Sequence, residues 1–579
     1  MAATVPVGGT DRLCEKTRRH VEARGSMAAA SNRAALGSQP ASAFVRRQAR
    51  RELAPTEQLL AEGGDLRIEL DLERGLNKYG CPPLPDPALS AFGSSTASTI
   101  SERAFEAVDQ LRKRLDIAGN NEPPEITYAR ELNRQRQELA RLGGVADLAG
   151  LEIVFAASGT DLHLLAGQLA RGTSAAPLLA LMVESSETGS GVPAALAGRH
   201  FSARTALGEA VAEGAPVAEE QAIEVIAIPA RTADGLPRPA VAIDLEIEER
   251  VAQAEDEGRG VLLTLVDISK TGFIAPSPAF ALALKQRFPD TVEVLVDACQ
   301  FRLAPASLRA YLEQGFMVAL TGSKFLTGPT FSGALLVPGM IAARMRKEKL
   351  PPAIAAYSAR ADWPKGWAAA AGLRDTANYG LLLRWEAALE ELRAFRAIPE
   401  RTVARFLAAF SEAVSGRLRS DPVFEPLQVP DLDRRPLAEP ASWDHIPTIF
   451  PFLLRHGDGS GAAIPFRREE TAQVYKLLAR DVADPLGLKP GDLGWQLAVQ
   501  RCEVGQPVLC GSRGGVPVSA LRLCASARVI VEGVASTRLD RNPVIQRALA
   551  VLDKAALIAR EWPRLGGNPP SPSDRTSTP

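Results

Sequence analysis

The stretch VEVLVDACQFRLAPASLRAYLEQGFMVALTGSKFLTGPTFSGALLVP, residues 292–338, decides the fold. Two apolar, β-rich runs, 292–299 and 316–322, each end at a polar residue, with the helix-like PASLRAYLEQG between them. That is a strand–helix–strand unit, so both strand C-termini open onto the same edge of a parallel sheet. Asp297 ends the first strand. Lys324 follows the second, with the hydroxyl residues Thr321 and Ser323 beside it.

Outward from this unit, the same alternation predicts a doubly covered sheet between about 150 and 340. LEIVFAAS leads into GTDLHLLAGQLAR, and APLLALMVES and AIEVIAIPA follow. EIEERVAQAEDEG precedes GVLLTLVDIS, and PAFALALKQRF precedes VEVLVDAC. Near-continuous Val, Leu and Ile runs are what a strand needs when helices cover both faces of its sheet. Ligands of such sheets bind outside the strand C-termini, where Ser158, Ser269, Asp297 and Lys324 are expected. From about 395 the texture changes to a long helix (400–418), short β-like runs (TIFPFLL, 448–454; ALRLCASARVIVE, 520–532) and a closing helix (542–562). The expected organisation is a disordered extension at 1–58 and a helical arm at 59–145. A large domain at 146–394, a smaller α+β domain at 395–565 and a disordered tail at 566–579 complete it.

Composition narrows the function. The chain has 579 residues, 46% of them hydrophobic, enough for a large buried core. Its 67 basic and 68 acidic residues balance, which points away from a nucleic-acid partner. No apolar run approaches 18 residues, so no membrane span is expected. Cys14, Cys81, Cys299, Cys502, Cys510 and Cys524 are scattered without C-x-x-C spacing. That predicts neither a disulfide scaffold nor a metal site, and a cytoplasmic location fits. The Arg/Ala/Ser-rich first 55 residues read as a disordered extension or, alternatively, as a transit segment; Met27 is a further candidate start.

An amine, a carboxylate and clustered hydroxyls at one sheet edge suit pyridoxal phosphate (PLP). The amine carries the aldehyde, the carboxylate pairs with the pyridinium nitrogen, and the hydroxyls hold the phosphate. Singly, a lysine in a glycine-containing turn is ordinarily solvated and a strand-end aspartate is ordinarily a helix cap. Together, VDACQ (296–300) and TGSKFLTGPTFSGALLV (321–337) resemble the class V aminotransferase and cysteine desulfurase group of fold type I PLP-dependent enzymes.

The resemblance implies a large domain with a mostly parallel seven-stranded sheet flanked by helices, plus a smaller α+β C-terminal domain. It implies that Lys324 holds PLP and shuttles the substrate Cα proton, that Asp297 pairs with the ring nitrogen and that Gln300 bonds the ring hydroxyl. Ser158, Gly159 and Thr160, in AASGTDLH (156–163), match the phosphate cup, with Thr321 and Ser323 beside it. A strand-to-helix turn of this kind is also an anion site in its own right, although alone it is merely a good cap. Ser269 in VDISKTG would line the ring, and Thr188 in ESSETGSG falls where the ring-stacking residue belongs. Arg374 and Thr376, in GLRDTANYG (372–380), match a segment that reaches the phosphate of a partner subunit, which implies a homodimer. The bland reading there is a helix start.

Arg522, in SALRLCASA (519–527), matches an arginine that grips the substrate carboxylate, a task suited to a planar two-pronged donor. The desulfurases carry a histidine where Ser323 stands and a nucleophilic loop cysteine where ASWDHIPTIFPF (441–452) has none. Transfer of sulfur through a persulfide is therefore disfavoured. The leading expectation is an aminotransferase acting on a small amino-acid-like substrate. A PLP-dependent C–S lyase is the alternative, and a non-catalytic PLP-fold binding protein a third. No G-x-G-x-x-G follows any strand, which argues against a dinucleotide-binding fold.

Overall fold

Strand β6 (Val292–Ala298) shows how the sequence makes its layers. Val292, Val294 and Val296 enter one hydrophobic core, while Leu295 enters a second on the opposite face with Asp297 in phase with it. The structure, a computed structural model, describes residues 52–172, 177–218, 223–439, 442–457, 463–536, 538 and 541–565. The expected tail lies outside these residues. So does the expected extension, apart from 52–58, where a short helix Thr56–Leu60 begins.

The strands, in chain order, are β1 (Leu89–Phe92), β2 (Glu152–Ala156), β3 (Leu178–Val183), β4 (Ile223–Ile228), β5 (Gly260–Val266), β6, β7 (Met317–Thr321) and β8 (Gly333–Val337). They continue with β9 (Phe424–Pro426), β10 (Ile449–Gly457), β11 (Ala463–Pro465), β12 (Arg501–Arg513) and β13 (Val516–Cys524). One sheet has seven strands in the order β2-β8-β7-β6-β5-β3-β4. β8 is antiparallel to both its neighbours, and the other pairs are parallel, so six strands run one way. Helices Gly159–Arg171, Ala240–Asp256, Pro278–Arg287 and Pro305–Glu313 are the crossover and covering elements. The mixed α/β class, the mostly parallel seven-stranded sheet and the 292–321 unit are as the sequence predicts.

The second sheet runs β1-β12-β13-β10-β11, with β9 paired to β10. β1 comes from the N-terminal region and lies parallel to β12, with Leu89 opposite Arg501. Helices Glu102–Ala118 and Pro124–Leu142 pack on the buried helix Tyr379–Arg396. One expectation fails here. The run 520–532 is not a single β segment: β13 ends at Cys524, and Ser526 caps a helix Ala527–Val534 by accepting from the Val529 N–H at 3.1 Å. The β-branched residues after Ser526 are helical because Ala527 and Ile530, one turn apart, share a buried face.

Candidate functional site

A cavity of about 320 Å³ opens at the C-terminal edge of the seven-stranded sheet. Its wall includes Ser158, Gly159, Thr160, Thr188, Asp297, Gln300, Thr321, Ser323, Lys324 and Arg522, ten of the residues singled out from the sequence. The sheet explains nine of them, because β2, β3, β6 and β7 run the same way and deliver their ends and following turns to one edge; Arg522 comes from β13 of the second sheet.

Asp297 is buried on the face of β6 that looks toward helix Gly159–Arg171. It accepts from the Cys299 N–H at 3.1 Å and lies 3.3 Å from Nε2 of His163, one turn into that helix. His163 Nδ1 is 2.7 Å from the Gly159 carbonyl. A carbonyl only accepts, so Nδ1 carries a proton, and the carboxylate 3.3 Å from Nε2 favours a second proton there, the imidazolium form. Burial by itself favours the neutral forms of both groups. Their mutual attraction outweighs it, holding Asp297 below the ordinary carboxylate range and His163 above its usual value. The contact is an ion pair by distance, and the Nε2–H is not aligned for a hydrogen bond.

Ser158 caps helix Gly159–Arg171 through its Oγ, and the first helical N–H groups have no intrahelical acceptor. Arg67, from the N-terminal region, points Nη1 at Thr160 Oγ1 (3.1 Å) and Nη2 at Ser158 Oγ (3.3 Å), while Asp65 holds the guanidinium at 2.6 Å. Its plane lies 4.6 Å from the Phe331 ring centroid. Gly159 leaves room that a side chain would occupy: an added Cβ would sit 2.9 Å from Cys299 Sγ and 3.3 Å from Thr321 Cγ2. A backbone donor set, a guanidinium and a cleared surface suit a phosphate group.

Lys324 leaves β7 through the tight turn at Gly322, where an added Cβ would sit 2.4 Å from that of Ala388. Among the described residues no hydrogen bond or ion pair engages its Nζ, although its charge acts on Asp297 and His163. Thr321 Oγ1 donates to the Cys299 carbonyl at 2.6 Å. Gln300 Nε2 donates to the Ser95 carbonyl at 2.9 Å, tying the side chain to the N-terminal region. Ile268, on the cavity wall, has φ 62°, a left-handed conformation that a β-branched residue adopts only under constraint.

At the other end, Arg522 is 1% exposed. It donates to Thr96 Oγ1 at 3.0 Å and to the carbonyls of Lys270 (3.4 Å) and Gln506, and its Nε has no acceptor. Lys270 stands beside it, and Glu187 behind. The Glu187 carboxylate accepts from Arg231 Nε (2.8 Å), Ser269 Oγ (2.8 Å), and the Thr271 N–H (3.1 Å) and Oγ1 (2.7 Å). Ser269 is therefore spent on Glu187 and lies outside the cavity wall. Thr188 is in the wall, its Oγ1 3.4 Å from the Glu184 carbonyl. Thr376 is half-buried away from this cavity, and exposed Arg374 pairs with Glu209 at 2.6 Å.

His163, Arg67 and Lys270 were not anticipated as site residues. His163 had a readable signal, four positions after Gly159 on the face of a strand-following helix. Arg67 had none: the cavity hydroxyls it faces are 91 and 93 residues away. Cys81, Cys299, Cys502, Cys510 and Cys524 are all buried, and burial pushes the Cys299 thiol well up. Among the described residues, no His/Cys/Asp/Glu group is arranged to hold a metal, and no helix is long and apolar enough to cross a membrane.

No protein-family model and no curated protein matches the chain. Solved structures do match. The cysteine desulfurase CsdA of Escherichia coli is 15% identical, covering 82% of this chain and 96% of its own, with a TM-score of 0.44. A NifS-like protein is 12% identical over 80% of this chain and 99% of its own, with a TM-score of 0.46. A C-DES variant, with glycine covalently linked to its PLP cofactor, is 14% identical over 80% and 99%, with a TM-score of 0.45.

Proposed function

We propose that this chain is a PLP-dependent enzyme of fold type I that acts at the Cα–H of an amino-acid-like substrate. The observation that carries the reading is one cavity wall holding an unengaged lysine, a buried ionised aspartate and an anion cradle. The residues present fit the cofactor. The Gly159 surface is clear for a phosphate, Asp297 is kept charged by His163, and Lys324 is free to bind an aldehyde.

When bound, PLP supplies an electron sink for negative charge at the substrate Cα. The chain supplies the rest. Ser158, Thr160, Ser323, the first helical N–H groups and Arg67 hold the phosphate. Asp297 keeps a proton on the ring nitrogen, because a carboxylate held ionised stabilises the cation beside it. Arg522 orients the substrate by its carboxylate, its Nε–H standing without an acceptor and little solvent there to compete. Lys324, which would hold the cofactor aldehyde, would as a free amine take the Cα proton as general base. Homodimerisation through the 372–378 segment, with Arg374 and Thr376 near a partner's site, belongs to the same proposal.

Two outcomes follow from that step. If the chain is a transaminase, Lys324 would give back the proton it took and the substrate would leave as a keto acid, with its amino group retained and no ammonia released. In the second reading, a C–S lyase, a thiolate leaves the substrate β-carbon; this lies nearer to the desulfurase named above, and the buried cysteines argue for release of sulfur rather than a persulfide relay. A single turnover of the PLP-loaded protein with a panel of amino acids separates them. Keto acid without ammonia means transamination, and ammonia with thiol or sulfide means the lyase. Failure to take up PLP sinks both.

A further inference from the structure

We propose that the substrate carries a second anionic group besides its α-carboxylate, and that Lys270 receives it. The inference rests on the cofactor reading above and adds the substrate class, an acidic amino acid.

It starts from the partners of each charge. Arg67 is paired with Asp65, Asp297 with His163, and Glu187 with Arg231. Lys78 is exposed and solvated. Lys324 is the cofactor's residue. Two cations then remain on the wall without a carboxylate partner among the described residues, Arg522 and Lys270. They adjoin, since Arg522 Nη1 donates to the Lys270 carbonyl at 3.4 Å.

Lys270 Nζ meets one neutral acceptor, the Ser185 carbonyl at 3.0 Å, which leaves two of its three N–H donors for a ligand. Its surroundings are positive: burial comes first, then the charges of Arg522 and Lys324, and Glu187 and Asp297 offset these only in part, so the amine is pushed down to about 8. A substrate with one carboxylate answers Arg522 and leaves the ammonium desolvated and uncompensated, an unfavourable state. A side-chain carboxylate, sulfinate or sulfonate removes that penalty. The position of Lys270, in the turn after β5, is fixed by its backbone N–H on the Glu187 carbonyl (2.8 Å) and by the Glu187 side-chain network.

The test uses the PLP-loaded protein and ligands that lack an amino group, read from the cofactor absorbance. Succinate and glutarate should bind at least about 10-fold more tightly than propionate and butyrate, a difference of about 1.4 kcal/mol. Lys270→Gln should erase that preference while leaving monocarboxylate affinity and bound PLP unchanged, and Lys270→Arg should retain it. Equal binding of mono- and dicarboxylates by the loaded wild type overturns this inference alone. So does a preference that survives in Lys270→Gln, or a Lys270→Gln protein that loses both ligand classes equally, which would mark Lys270 as a loop tether. Failure to load PLP overturns the function reading itself, and this inference with it.

Discussion

Replacing His163 with phenylalanine tests the charge state at the heart of the site. The change keeps an aromatic ring in the helix and removes both polar contacts, the Gly159 carbonyl at 2.7 Å and the Asp297 carboxylate at 3.3 Å. At an effective dielectric of about 20, two unit charges 3.3 Å apart attract by about 5 kcal/mol. Breaking a buried pair costs about 3–5 kcal/mol. The unaligned Nε2–H places this pair at the low end, about 3 kcal/mol. With an unfolding entropy of about 2.1 cal/mol/K per residue over 579 residues, that is a fall in Tm of about 2–3 °C.

The pH dependence carries the sharper test. Asp297 is depressed in the folded protein, so its contribution is present above its unfolded pKa of about 3.9 and is lost as pH falls through the folded value. His163 is raised, so its contribution is complete below about 6.5 and is lost as pH rises toward its folded value. The pair therefore stabilises most between about pH 4 and 6.5. Thermal midpoints of wild type and His163→Phe should differ more at pH 6 than at pH 9. Equal differences at both pH values, or a larger one at pH 9, would refute the imidazolium assignment.

Gly159→Ala puts a methyl group 2.9 Å from Cys299 Sγ, and relief of such overpacking costs about 1–3 kcal/mol; equilibrium dialysis should show PLP affinity falling with it. Arg67→Met removes donors facing the Ser158 and Thr160 hydroxyls, and PLP affinity measured the same way should fall about 10- to 100-fold. Asp297→Asn should still take up PLP but lose turnover by about 100-fold or more, because the amide cannot hold the ring nitrogen protonated; steady-state assays on the loaded variant check this.

The large sheet was legible because Val-, Leu- and Ile-rich strands alternate with helices, and because strand ends are marked by residues such as Asp297 and Ser158. What escaped was information carried by tertiary contact. Nothing local marks Arg67, whose contacts at the cavity are with Ser158, Thr160 and Phe331, all distant in the chain. Ser269 looked like a ring-lining residue from its place in VDISKTG, but the buried Glu187 carboxylate captures its hydroxyl. The helix after Ser526 was hidden because Val and Ile suit strands by propensity, and only burial of one face made it helical.

The central claim is that Lys324 bears the cofactor. Incubating the protein with PLP, reducing it with borohydride and mapping the peptides should place the pyridoxyl group on Lys324, with none on Lys270 or Lys78. A Lys324→Ala protein should yield no stable adduct after the same treatment. Label on another lysine, or none on the wild type, would contradict the account.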